Sequence, residues 1–265
     1  MAKKMLVIAN WKMYIESPKA AKKMVQGIKR SSLALSGVEI WLAPSFVLLP
    51  GVSALLKRSL IKVGAQTLSA HSSSSDSAQD KAHTGEVSAV MLKNAGVSFV
   101  IVGHSERRAA GESDEAVRAE LLSAAEAGLS PVLCIGERER TPDGAHWGLL
   151  EAQLASALRD QERVAQKLVV AYEPVWAIGK SAKDAMAPSE LEETIIFIRK
   201  TLADLLDRPR ALKVRILYGG SVEGENASAL VETGGAGGFL VGHASADISS
   251  FVEIIKTVRG SKKKQ

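Results

Sequence analysis

The strongest constraint on the fold is a repeat of kind rather than of letter. Eight short β-rich runs alternate with helical patterns along the 265 residues. The runs are Met5–Ala9, Val38–Ala43, Ile61–Ala65, Ser98–Val102, Pro131–Ile135, Leu168–Tyr172, Lys213–Tyr218 and Gly238–Val241. Most are continuously apolar rather than alternating, which is the signature of parallel strands covered on both faces. Between them, Ser17-Pro18 supplies a helix cap and a first-position proline, and Met24, Val25 and Ile28 form one face. Leu191, Ile195, Ile198, Leu202 and Leu205 make an amphipathic stripe. Phe251, Ile254, Ile255 and Val258 make another before Gly260, and Gly128 reads as the C-cap of the helix around Val117 and Leu121. Strand–helix units with no shift of composition between them point to an α/β protein, one (β/α)₈ barrel domain over 1–265. A doubly wound open sheet is the alternative with the same element order.

Composition narrows the function. The net charge is +5, and Lys262, Lys263 and Lys264 sit at the very end, so 261–265 is expected to be a disordered, solvated basic tail. With 5% aromatic residues, stacking platforms for nucleic acid are not expected. A mild positive field would still attract a small anion. One cysteine, Cys134, excludes an intrachain disulfide and fits a reducing cytoplasm. No stretch is apolar enough to cross a bilayer.

In a barrel, reactive groups stand at the C-terminal ends of the strands. Asn10 and Lys12 follow the first run in "NWKMY", His104 and Glu106 the fourth in "GHSERR", and Glu137 the fifth in "CIGE". Glu173 follows the sixth, directly before Pro174, and Ser221, Gly242 and His243 follow the last two. Each alone has an ordinary reading: a solvated lysine, a hydrogen-bonding histidine, a carboxylate in an ion pair. Jointly they set an ammonium, an imidazole and a carboxylate on one rim. The glycine turns after the seventh and eighth runs lie where barrels commonly hold phosphate on backbone N–H groups. "GKS" at Gly179–Ser181 is not a P-loop, because Pro174 stands where that pattern needs glycine. "GGAGG" precedes a strand, which is wrong for a dinucleotide site. No metal is implied, since no His/Cys/Asp cluster has ligand spacing.

Over essentially its whole length the sequence resembles the triosephosphate isomerase family. The resemblance is carried by "ANWKMY", "TGEVS" at Thr84–Ser88, "VIVGHSERR", "CIGE", "AYEPVWAIG", "LYGGSV" and "GFLVG". It implies a TIM barrel and the cofactor-free interconversion of dihydroxyacetone phosphate and D-glyceraldehyde 3-phosphate through an enediolate, a step of glycolysis and gluconeogenesis. Glu173 would be the base and neutral His104 the electrophile that donates to the enediolate oxygens. Lys12 would supply fixed positive charge and Asn10 an amide donor, with Glu106 and Ser105 in support. Gly179, Ser221, Gly242 and His243 would hold the phosphate through backbone N–H groups. A lid over Ala177–Met186 would exclude water, with Pro174, Val175 and Trp176 as its first hinge and Ala177, Ile178 and Lys180 in its opening stretch. The resemblance also implies a homodimer in which the third strand–helix loop, around Thr84, inserts into the partner near Asn10 and Lys12.

The sequence departs from that family in places. "AIGKSAKDAMAP" carries Pro188 two positions late, so the far hinge, Lys183 to Ala187, is unlike the common lid, and a different closing rate is expected. "VGH" puts His243 where a glycine is common; a side-chain contact to phosphate and a solvent-exposed ring are the two readings, and a positive φ there would be disfavoured. "AHSSSSDSAQDKAH" at Ala70–His83 is long and serine-rich, either a flexible surface loop or an arm that docks on a partner, and Thr67 replaces a common asparagine. Two other readings remain: a catalytically idle barrel kept as a phosphate-binding interaction protein, and another phosphosugar barrel. The first need not keep Asn10, Lys12, His104 and Glu173 together, and the second would not need the Glu-Pro hinge.

Overall fold

The computed structural model describes residues 4–32, 37–71, 82–180 and 185–261. Eight parallel strands close on themselves in sequence order, which excludes the open sheet. They are β1 (Met5–Asn10), β2 (Val38–Ala43), β3 (Lys62–Ala65), β4 (Phe99–Val102), β5 (Ser130–Ile135), β6 (Val169–Tyr172), β7 (Arg215–Tyr218) and β8 (Gly238–Val241). The ends differ from the sequence reading by one or two residues: β1 gains Asn10, and Lys213 lies in the turn before β7.

The helices are α1 (Pro18–Ser32), α2 (Leu49–Leu56), α3 (Ala89–Asn94), α4 (Ser105–Ala109), α5 (Asp114–Glu126), α6 (Ala145–Leu158), α7 (Pro188–Leu206), α8 (Arg208–Ala211), α9 (Gly224–Glu232) and α10 (Ile248–Ser261). Ser17 Oγ accepts from the Ala20 N–H at the start of α1. In α7 the expected stripe faces the core: Leu205 is half-buried against it, and Leu206, which the stripe did not include, is fully buried beside it. α10 continues through Gly260, and Ser261 is buried with its hydroxyl 3.0 Å from that of Ser228. Ser261 therefore belongs to the helix; the rest of the expected tail lies outside the described residues, as does 72–81 of the serine-rich loop.

Strand alternation builds two cores. Val7, Ala9, Val100, Val102, Val170 and Phe239 point outward onto the helices. Leu6, Ile8, Trp41, Phe99, Ile101 and Leu240 are among the side chains that fill the barrel. Trp41 and Phe99 pack at a tilt of 32° with ring centroids 4.6 Å apart. The seam pairs Leu6 with Gly238, and a Cβ on Gly238 would stand 1.8 Å from the Leu6 carbonyl oxygen, so only glycine lets β8 meet β1. Cys134 lies inside the barrel; burial, then the nearby Glu173 carboxylate, push its thiol well up, so it stays protonated and inert.

The N-terminal end of the barrel is closed by a charged plug. Glu39 accepts from Trp41 Nε1 at 2.8 Å and pairs with Lys62 at 2.9 Å and Arg215 at 2.6 Å. Burial alone would raise its pKa, but these donors hold it down at about 2.

Candidate active site

The first rim group is set by the end of β1. Asn10 is buried and its Oδ1 accepts from the Lys12 N–H at 3.2 Å. Lys12 adopts φ 45, a left-handed conformation that costs an L-residue about 1–2 kcal/mol. Gln66, just past β3, holds it there: its Nε2 donates to the Lys12 carbonyl at 3.0 Å and to the Ala43 carbonyl at 2.9 Å. Three adjacent loops are thus tied by one side chain. The Lys12 stem passes Gly242, where a Cβ would meet Cε at 3.4 Å, and its Nζ lies 2.6 Å from Glu106 Oε1.

The second group caps α4. His104 Nδ1 accepts from the Glu106 N–H at 3.2 Å. A nitrogen that accepts a hydrogen bond carries no proton, so the neutral ring has its proton on Nε2. Nε2 lies 3.2 Å from Glu173 Oε1.

Glu173, the third, is almost wholly buried. Its other oxygen, Oε2, accepts from the Ser105 N–H at 2.9 Å. Its own N–H is bonded to the Ile135 carbonyl at 2.8 Å, and a Cβ on Gly136 would overlap its carbonyl oxygen at 1.8 Å. The main chain of Glu173 is therefore fixed, while the carboxylate rests on two donors it can exchange. The Ser105 hydroxyl is buried without a partner.

Beyond Glu173 the chain turns through Pro174 into a 3₁₀ turn at Val175–Ala177. This hinge is anchored by Glu137, which sequence reasoning had placed on the rim without a role. Its Oε1 accepts from Tyr172 OH at 2.7 Å, Trp176 Nε1 at 2.9 Å and Arg140 Nε at 3.2 Å. Arg140 also donates to the hydroxyls of Tyr172 and Thr194, tying the hinge to α7. Burial, then the adjacent carboxylate, drive the Tyr172 phenol up, so it remains a donor. Arg140 was not singled out in the sequence; its nearness to "CIGE" was the available signal.

Of the lid, Ala177, Ile178, Gly179 and Lys180 are described and 181–184 are not. Gly179 has φ 73 and is exposed, as is Lys180. Ser221 Oγ donates to the Ala177 carbonyl at 3.0 Å, joining the loop after β7 to the turn at Val175–Ala177. At the far side Met186 is buried, and the Ala187 N–H donates to Glu190 Oε2 at 3.1 Å where α7 begins at Pro188. The buried Tyr218 hydroxyl, pushed up to about 12 by burial, faces the Met186 amide.

Gly242 precedes a 3₁₀ turn at His243–Ala246. His243 is not among the described positive-φ residues, so glycine is not required there. Its exposed ring packs edge-on to Tyr14, centroids 5.5 Å apart. The sequence had not foreseen this ring contact.

A cavity of about 550 Å³ adjoins Ser105, Glu137, Glu173 and Val175. Asn10, Lys12 and His104 do not line it, so it lies on the other side of Glu173 from the convergent groups. Among the described residues no cluster of three or more His, Cys, Asp or Glu could hold a metal, and no helix is long and apolar enough to cross a membrane.

A closed (β/α)₈ barrel whose rim joins a buried carboxylate, an imidazole facing it and an ammonium is consistent with an enzyme of the isomerase class. The family model described as "Triosephosphate isomerase" matches residues 5–258. The chain is 40% identical to the triosephosphate isomerase of Carboxydothermus hydrogenoformans over 257 residues, 96% of this chain and 98% of that one. It is 40% identical to that of Endomicrobium trichonymphae over 258 residues, 96% and 98% of the two chains. With that of Symbiobacterium thermophilum it shares 41% over 253 residues, 94% of each. The chain belongs to the triosephosphate isomerase family.

Proposed function

We propose that the whole chain, acting as one domain, interconverts dihydroxyacetone phosphate and D-glyceraldehyde 3-phosphate without a cofactor. The observation that carries this is the meeting of Glu173 and His104, 3.2 Å apart, on a rim shared with Lys12. The reaction removes a proton α to a carbonyl and returns it to the neighbouring carbon. One carboxylate that reaches both carbons suffices, and Glu173 is the base. To reach substrate it leaves the Ser105 N–H, which the Pro174 hinge allows without moving its main chain. His104 Nε2–H donates to the enediolate oxygens and moves protons between them. Lys12 and the Asn10 amide stabilise the same developing charge, with Glu106 holding the ammonium in place.

Backbone N–H groups of Gly179, Ser221, Gly242 and His243 hold the phosphate. The lid from Ala177 to Met186 excludes water that would otherwise let the enediolate expel phosphate. The protein works in the cytoplasm as a homodimer. The loops after β1 and β2 and the start of α3 leave Met13, Tyr14, Phe46, Val47, Val90 and Met91 exposed, an apolar face suited to a second copy with the loop around Thr84 inserted.

The test is a coupled assay with glyceraldehyde 3-phosphate, run beside Glu173→Gln. Turnover by the parent and its collapse in the variant are expected. A parent without turnover that still binds a phosphate analogue would favour the idle barrel.

A further inference from the structure

The pocket on this same apolar face contains an acid pair that no step above uses. A cavity of about 440 Å³ is walled by Phe46, Thr67, His71, Arg107, Glu112 and Glu120, among others. Glu120, on the second turn of α5, is 3% exposed, and the side chain of Glu112, just before that helix, is 4% exposed. Both line the same pocket wall, and Glu112 bears on Glu120 as a neighbouring carboxyl. Arg107 Nε donates to Glu112 Oε1 at 2.9 Å. Glu112 Oε2 and Glu120 Oε2 are both buried with no donor. Two ionised carboxylates offer only acceptors, so their nearness would join repulsion to two unsatisfied buried oxygens. A single proton turns one of them into a donor and removes both faults.

We propose that Glu112 and Glu120 hold one proton between them in the wall of this pocket, and that losing it loosens the α4–α5 corner and weakens docking of a second copy. The docking part rests on the dimer proposed above; the shared proton does not.

The surroundings set the sign. Burial, then Glu112, raise Glu120 to about 8, and Glu86 adds to this while Arg107 opposes it. His71 stands elsewhere on the pocket wall. Of the elements packed on α5, β4 is wholly apolar and β5 carries only the inward Cys134. α6 carries His146 and exposed Glu151, and the Val164–Gln166 turn has no ionisable side chain. A carboxyl raised in the folded state contributes stability that is complete below its unfolded value and is lost as pH rises towards about 8. The corner also carries His104 at the head of α4, so its loosening reaches the rim.

The experiment is a titration of the whole chain labelled with ¹³C at the glutamate carboxyls, beside Glu120→Gln. One carboxyl resonance should titrate far above the rest and vanish in the variant. If every carboxyl has titrated by about pH 6, the shared proton is refuted. Thermal melting and sedimentation at about pH 6 and about pH 9 test the consequence. The parent should lose several degrees and associate more weakly at the higher pH, while Glu120→Gln should change little. Parent curves that coincide at the two values overturn the loosening. A monomer at both values overturns the docking part and the dimer reading together, leaving the proton to be decided by the titration. If Glu120→Gln fails to fold, Glu112→Gln serves as the second variant.

Discussion

The two ends of the barrel use the same kinds of side chain for opposite ends. At the N-terminal end, Glu39 is saturated by Trp41 on its own strand, Lys62 on β3 and Arg215 on β7. At the C-terminal rim, Glu173 rests on one backbone N–H and one imidazole, with no cation on it, and Lys12 leans on a Glu106 that is 62% exposed. A carboxylate with every partner fixed is a structural plug. The same group with exchangeable partners, on a main chain held by Ile135 and Gly136, is available for chemistry. What separates structure from function here is how completely each charge is satisfied by groups that cannot move.

That contrast can be broken by making one substitution at both ends. Glu173→Gln should lower kcat by about 10²–10⁴-fold, because the amide keeps a hydrogen bond from Ser105 but cannot take a proton. Its melting temperature should barely change; a large drop would make Glu173 a structural group like Glu39. Next in size is Lys12→Met, which keeps the stem over Gly242 and removes the ammonium. A loss of about 10²–10³-fold in kcat/KM is expected, with stability unchanged. Full activity in this variant would move the fixed charge elsewhere on the rim.

Glu39→Gln should act the other way, costing about 1–3 kcal/mol of stability by denaturant titration while leaving kcat intact, a figure reduced for partial exposure of the pair. Because the folded value is depressed to about 2, this stabilisation is present above about 4.5 and lost as pH falls between the two. Acid unfolding should therefore be flatter in the variant over that window. The smallest effect belongs to the hinge. Trp176→Phe removes the donor to Glu137 and should cost about 1 kcal/mol, moving kcat and KM together by several-fold. An unchanged KM would show that the anchor on Glu137 does not govern the lid.

Much of this was legible in the chain. The order of strands and helices was, because each run is covered on both faces and carries its own apolar signal. The rim residues could be found because barrel geometry puts whatever follows a strand at one end. Boundaries slipped by a residue or two, as at Ser261 and Leu206, where packing rather than local preference decides the last turn. Side-chain pairings were not legible: Gln66 with Lys12 and Arg140 with Thr194 join residues whose sequences say nothing of each other, and nothing in the chain says that Glu112 and Glu120 enter one pocket wall.

The amino-acid sequence by itself determined the class of fold, the family and the identity of the groups on the rim. These follow from local periodicity and from which residue types stand at strand ends. Only the tertiary structure decided that the barrel closes, that His104 turns its Nε2 proton towards Glu173, that Lys12 is held in a left-handed backbone, and that Glu39 is locked between two cations while Glu173 is held by one backbone N–H and one imidazole. Each depends on distances between segments far apart in the chain. Hydrogen bonds and charges respond to those distances, not to the order of residues.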